Sequence, residues 1–136
     1  MAKFPSDEWA KAFMNSLNTS KTYAEAAKTW EGDFVFIVTP DKPGEGKEYY
    51  LYFDLWHGVC RAASMLNDPN EKKAAFIWSG TFTNYTKIMT GEIDPIKGLM
   101  QGKFKLKGNM STIMRAVKAA QELVNCLKTV PTEYDK

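Results

Sequence analysis

Gly91-Glu92-Ile93-Asp94-Pro95-Ile96-Lys97-Gly98-Leu99-Met100-Gln101-Gly102-Lys103-Phe104-Lys105-Leu106-Lys107-Gly108-Asn109-Met110 packs a helix, a strand and the start of a second helix into one short stretch. Proline is favoured at the first helical position, so Asp94-Pro95 opens a short helix. Its buried face is expected to be Ile96, Leu99 and Met100, and Gly102 stops it. Lys103 to Lys107 then alternates strictly. Phe104 and Leu106 point inward and three lysines outward, as on a half-buried strand too charged to pair along its edge. After Gly108, Asn109 or Ser111 caps the longest expected helix. Met110, Ile113, Met114, Val117, Ala120, Val124 and Leu127 form its stripe at helical spacing.

Upstream, Phe82, Tyr85, Ile88 and Met89 again recur at helical spacing, closed by Gly91. Before them, Ala75 to Ser79 reads as a strand with Phe76 and Trp78 on one face. Phe34-Val35-Phe36-Ile37-Val38 is a continuous β-branched and aromatic run, expected to be a strand buried on both faces. The turn cluster Pro40 to Gly46 separates it from a long strand, Tyr49 to Trp56, whose odd positions are the more apolar. Gly58 marks a turn into a third strand, Val59 to Leu66, and Asn67 to Asn70 is a loop. Near the N-terminus, Ser6 caps a helix with Asp7 and Glu8 in its first turn and Trp9, Phe13 and Leu17 on one face. Ser20 caps a second helix, with Tyr23, Ala26, Ala27 and Trp30 on one face, expected to run to Gly32. Pro131 to Lys136 reads as a frayed tail. The economical architecture is α+β, a single five-stranded sheet with helices packed on it, one domain over residues 1–136.

Composition narrows the function. The chain has 136 residues, 44% apolar, with eight Phe, six Tyr and four Trp, enough to build a core and too much for a disordered chain. A formal charge of +2 lacks the strongly basic footprint of a nucleic-acid binder, and no nucleic-acid partner is expected. Neither a secretory leader nor a membrane span is visible, so a cytoplasmic location is expected. Cys60 and Cys126 are expected as free, buried thiols. A single histidine, His57, excludes any metal site needing two imidazoles, and neither metal nor cofactor is expected.

Candidate catalytic groupings are sparse. Gly44-Glu45-Gly46-Lys47 resembles part of a phosphate loop, but Asp41 and Glu48 stand where that loop needs a glycine and a Ser or Thr. Asp54 and His57 lie three apart, on opposite faces of a continuing strand. A small cone-shaped isomerase would need Asp54 as base and Tyr52 or Tyr85 as oxyanion donor, with Asp54 facing a pocket. A ligand-free interaction module is the other alternative. Lys103, Lys105, Lys107, Arg115 and Lys118 gather cations near one end of the sheet, either a solvated edge or a patch that meets anionic head groups, whether phosphate, carboxylate or a transiently contacted membrane surface. Met89, Met100, Met110 and Met114 fall on expected inward faces, where flexible thioethers suit adaptable apolar surfaces.

The opening stretch resembles the signature of the sterol carrier protein family. There a Gly-x-x-Asp/Asn-Pro turn leads to Met-x-Gly-Lys-x-Lys-x-x-Gly-Asn/Asp-Met and a C-terminal helix. The resemblance extends from Trp9 to Leu127. It implies a five-stranded sheet with helices on one face and a hydrophobic tunnel between them for a fatty acid, fatty acyl-CoA, sterol or phospholipid, carried without catalysis. It also implies that the apolar faces line that tunnel, through Trp78, Phe82, Ile88, Met89, Leu99, Met100, Phe104, Leu106, Met110, Ile113, Met114 and Val117. Tyr134-Asp135-Lys136 lacks the Ser-Lys-Leu-like ending of peroxisomal members, so no peroxisomal address is expected.

Overall fold

Ser6 and Ser20 start the two N-terminal helices by accepting hydrogen bonds from the Trp9 and Tyr23 amides, at 3.0 and 3.1 Å. The computed structural model describes residues 2–42 and 44–134, with side chains except those of Pro95, Ile96 and Tyr134. The expectations for Pro43, Asp135, Lys136 and the Ile96 side chain lie outside the described residues. Helix α1 spans Asp7–Thr19 and α2 spans Lys21–Ala26. The second helix ends earlier than Gly32. The Trp30 carbonyl accepts the His57 amide at 2.7 Å, and the Trp30 indole donates to the Gly32 carbonyl at 2.9 Å. Both bonds hold Trp30 in a turn beyond the helix.

The strands are β2 (Phe34–Thr39), β3 (Tyr49–Trp56), β4 (Val59–Leu66), β5 (Phe76–Thr81) and β6 (Phe104–Lys107). The sheet runs in the order β4-β3-β2-β5-β6, antiparallel except for the parallel β2–β5 pair. Its register puts Phe34, Phe36 and Val38 beside Leu51, Phe53, Phe76 and Trp78 on the face buried against the helices. Val35, Tyr52 and Leu66 form a smaller apolar cluster on the other face, so β2 is covered on both sides. The β3–β4 turn places His57 and Gly58 at φ 49° and 81°, the left-handed backbone of a tight hairpin. A Cβ on Gly58 would lie 2.6 Å from the Ala24 carbonyl oxygen, so only glycine lets this turn pack on α2.

Helices α3 (Phe82–Met89), α4 (Pro95–Met100), α5 (Met110–Arg115) and α6 (Val117–Thr129) complete the helical layer. The single long C-terminal helix expected from the stripe is thus two helices, broken at Ala116 (φ −115°, ψ 32°). The tail is likewise not frayed as far as Tyr134. Strand β1 (Ala2–Phe4) pairs in parallel with β7 (Thr132–Tyr134), and the Trp9 indole donates to the Thr132 hydroxyl at 3.0 Å. Three-residue strands separated by nearly the whole chain leave no local pattern to read.

Helix α1 also does the work of a sixth strand. Asp7, Lys11 and Asn18 fall within 40° of one another around the helix at 100° per residue. Asp7 accepts from the Met65 amide at 2.9 Å, Lys11 donates to the Ala63 carbonyl at 2.8 Å, and Asn18 both donates to and accepts from Cys60, at 2.9 and 2.8 Å. These groups belong to β4, an edge strand that would otherwise invite pairing with another chain. The apolar stripe of α1, fully buried Trp9, Phe13 and Leu17, faces the core.

Asn18→Ala removes both bonds to Cys60 and should cost about 1–2 kcal/mol in denaturant unfolding. Asp7 contributes a pH dependence. The Met65 amide, and after it Lys11, hold its carboxyl below the usual 3.8. The stabilisation is therefore complete above that value and is lost as pH falls through the lowered native value. Asp7→Asn should flatten this acid limb of the stability–pH curve and leave neutral-pH unfolding cooperative.

Candidate functional site

The inner apolar space lies where α5 and α6 cross the sheet. One cavity, about 90 Å³, is lined by Phe34, Trp78, Leu99, Leu106, Ile113, Ala120, Gln121, Leu123 and Val124. A second, about 30 Å³, is lined by Tyr23, Trp30, Phe34, Leu55, Ile113, Ala116, Ala119, Ala120 and Leu123. Phe34, Ile113, Ala120 and Leu123 line both, so the two spaces adjoin.

The sequence explains the empty space. The floor is aromatic and interlocked: Trp30, Phe34 and Phe76 lie 5.1–5.9 Å apart centroid to centroid, and Trp78 meets Phe36 edge-on at 5.1 Å. The roof over it is small, since the first turn of α6 offers Ala116, Ala119 and Ala120. Methyl groups there cannot reach the floor. Tyr23 adds a polar atom at one end, and burial pushes its phenol up, so it is neutral.

The inward residues expected from the sequence divide into four groups. Trp78, Leu99, Leu106 and Ile113 line the first cavity. Ile88, Met89 and Phe104 are buried in solid core and line neither. Phe104 is clamped between β5 and α4, because Gly80 and Gly98 have no side chains: a Cβ would come within 2.5 and 3.2 Å of its ring. Phe82 faces a separate cleft with Pro5, Val38, Tyr49 and the loop after β2, and Val117 is half-buried outside the two cavities. Met100, Met110 and Met114 are corrections, 82%, 42% and 66% exposed. The side of α4 that packs down is Gly98, which puts Met100 two residues on at the surface. In α5, the break at Ala116 turns Ile113 in and leaves Met110 and Met114 out of phase with the α6 stripe. Periodicity carried through Ala116 could not show this. The lining residues it missed include Trp30, Phe34, Ala116 and Ala119, legible only as core or as ordinary helix formers.

Residues considered for catalysis are engaged elsewhere. Asp54 makes a two-point pair with Arg61, at 3.0 and 3.2 Å, and lines neither cavity. His57 bonds Glu31 at 2.6 Å. The Tyr85 hydroxyl donates to the Trp78 carbonyl at 2.6 Å, and that of Tyr52 to Asp33 at 2.9 Å; burial raises the pKa of both. Cys60 and Cys126 are free and buried; burial pushes the Cys60 thiol up to about 12. Among the described residues no cluster of His, Cys, Asp or Glu could hold a metal, and no helix is long and apolar enough to cross a membrane.

Residues 11–121 match the model of the SCP-2 sterol transfer family. The chain belongs to that family. Its fold resembles the crystal structure of a sterol carrier protein 2 with a TM-score of 0.82, at 35% identity over 92% of this chain and 97% of the other. A conserved protein of Thermus thermophilus, solved in solution, gives 0.80 at 35% identity over 93% and 88%. Hydroxysteroid dehydrogenase-like protein 2 of Xenopus tropicalis is 28% identical over 114 residues, which are 84% of this chain and 24% of that protein, so this chain spans about a quarter of that relative's length. Lipid binding and transfer, in general terms, is the activity that goes with membership.

Surface positions tolerate truncation, so Met114→Ala should change unfolding free energy by less than about 0.5 kcal/mol. Ile113→Ala, at the wall shared by both cavities, should cost about 2–4 kcal/mol. Parallel urea melts check both.

Proposed function

We propose that this chain is a non-enzymatic cytoplasmic carrier, one domain over residues 1–136, that holds a single elongated lipid in one continuous apolar tunnel. The two adjoining cavities under α5 and α6 carry this reading. Their shared wall at Phe34, Ile113, Ala120 and Leu123 is apolar throughout. An apolar pocket with few convergent polar groups suits an acyl chain or a sterol nucleus, which needs burial more than hydrogen bonds. Fatty acid, fatty acyl-CoA, sterol and phospholipid all satisfy that chemistry. The ligand-binding residues are then Trp78, Leu99, Leu106 and Ile113, with Trp30, Phe34, Ala120 and Leu123 added. Exposed Met100 and Met114 supply flexible apolar side chains on α4 and α5, and Lys103, Lys105 and Lys107 are exposed near the edge of the sheet, a combination suited to brief contact with an anionic membrane.

Ala120→Phe separates a tunnel from a core. In a solid core the ring overpacks and destabilises by about 1–3 kcal/mol. In a tunnel the melting temperature of delipidated protein holds or rises, and palmitate affinity falls at least tenfold. A destabilised variant with unchanged palmitate affinity overturns the tunnel. Lys103→Gln/Lys105→Gln/Lys107→Gln should slow transfer of a fluorescent fatty acid to phosphatidylserine vesicles and flatten its salt dependence, while transfer to neutral vesicles is unaltered.

A further inference from the structure

The apolar space has a charged neighbour. A wide cleft of about 390 Å³ lies between the end of α2 and the α5–α6 break, and Thr29, Thr112, Arg115 and Lys118 line it. It shares Trp30, Ala116 and Ala119 with the smaller apolar cavity, so the two spaces adjoin. Among the described residues Arg115 donates to the Ser111 carbonyl, at 3.3 Å, and neither Arg115 nor Lys118 has a carboxylate within ion-pair distance. The one acid lining the cleft, Glu31, is bonded to His57. Two cations thus stand beside an apolar cavity, with two threonine side chains near them and Glu25 and Glu122 on the far side of Lys118.

We propose that Arg115 and Lys118 hold the anionic head group, a carboxylate or phosphate, of a single-chain lipid whose tail lies in the two apolar cavities. This rests on the carrier reading above. It adds a direction: the head lies at the α2 side beside Trp30, and the tail runs past Ile113 towards Trp78 and Leu106. A guanidinium offers a planar pair of donors to a carboxylate or phosphate, and the ammonium a mobile point charge. At the mouth of an apolar cavity both act in a less screened setting than on open surface. An uncharged amphiphile of the same length would fill the cavities and leave the cations without a partner. The head-group pair therefore acts on selectivity, and the cavities on affinity for the chain.

The test compares palmitate with hexadecanol, which has the same chain and no charge, on delipidated protein. Arg115→Gln/Lys118→Gln should weaken palmitate binding about tenfold or more and leave hexadecanol binding within twofold. Lys72→Gln/Lys73→Gln, an equal loss of charge in the loop between β4 and β5, should leave both affinities as they are. Arg115→Glu/Lys118→Glu should reverse the preference, favouring hexadecylamine over palmitate. Circular dichroism and melting temperature establish that each variant is folded. Equal losses for palmitate and hexadecanol, or unchanged palmitate affinity in the Gln pair, overturn the head-group site while the carrier reading stands. Binding of neither amphiphile by the wild-type protein overturns both.

Discussion

The empty space beneath helix α6 depends on the uneven size of the side chains that helix turns to the core. Its C-terminal half contributes Leu123, Val124, Cys126 and Leu127 to the core shared with α1, α2 and α3. The Ser16 and Thr129 hydroxyls join α1 to its last turn at 2.6 Å. Its N-terminal half turns Ala119, Ala120 and Gln121 to the apolar space. The short alanine side chains leave room above Trp30 and Phe34. Were the large residues at the other end, the helix would settle onto Trp30 and Phe34 and the space would close.

The floor resists collapse for a different reason. Its rings brace one another: Phe34 touches Trp30, Phe36 and Phe76, and Phe36 in turn meets Trp78, Phe53 and Tyr85. Each is fixed by its aromatic neighbours, so none can swing up into the void without breaking pairs that contribute about 0.5–1.5 kcal/mol each. An unfilled apolar space nevertheless lacks the dispersion contacts of a packed core. On the carrier reading proposed above, a lipid in that space restores them, adds stability by mass action and makes the melting temperature track lipid concentration.

Most of the architecture was legible in the sequence because its elements are amphipathic in the ordinary way. Trp9, Phe13 and Leu17 mark α1, the alternation from Lys103 to Lys107 marks β6, and Ser6, Ser20 and Asn109 cap α1, α2 and α5. What escaped was non-local or inverted in sign. The pairing of Ala2–Phe4 with Thr132–Tyr134 has no sequence neighbourhood at all. The cavity is made by residues too small to stand out, Ala116, Ala119 and Ala120. Hydrophobicity pointed instead to Met100, Met110 and Met114, the largest apolar groups nearby. Their exposure follows from a glycine that packs down at 98 and a break at Ala116, neither of which a periodic reading weighs.

The parallel pairing of the two ends bears on how the fold carries tension. Strand β1 begins at Ala2 and β7 ends at Tyr134, and in a parallel pair those points lie at opposite ends of the ribbon. A pull through both ends slides one strand along the other and loads their hydrogen bonds together. An antiparallel closure would open them one after another. The Trp9 indole on Thr132 adds a bond from the core to the same ribbon. Mechanical force on the chain therefore meets this clasp before it reaches the sheet, and the rate at which the clasp shears governs how long the apolar cavities survive the load.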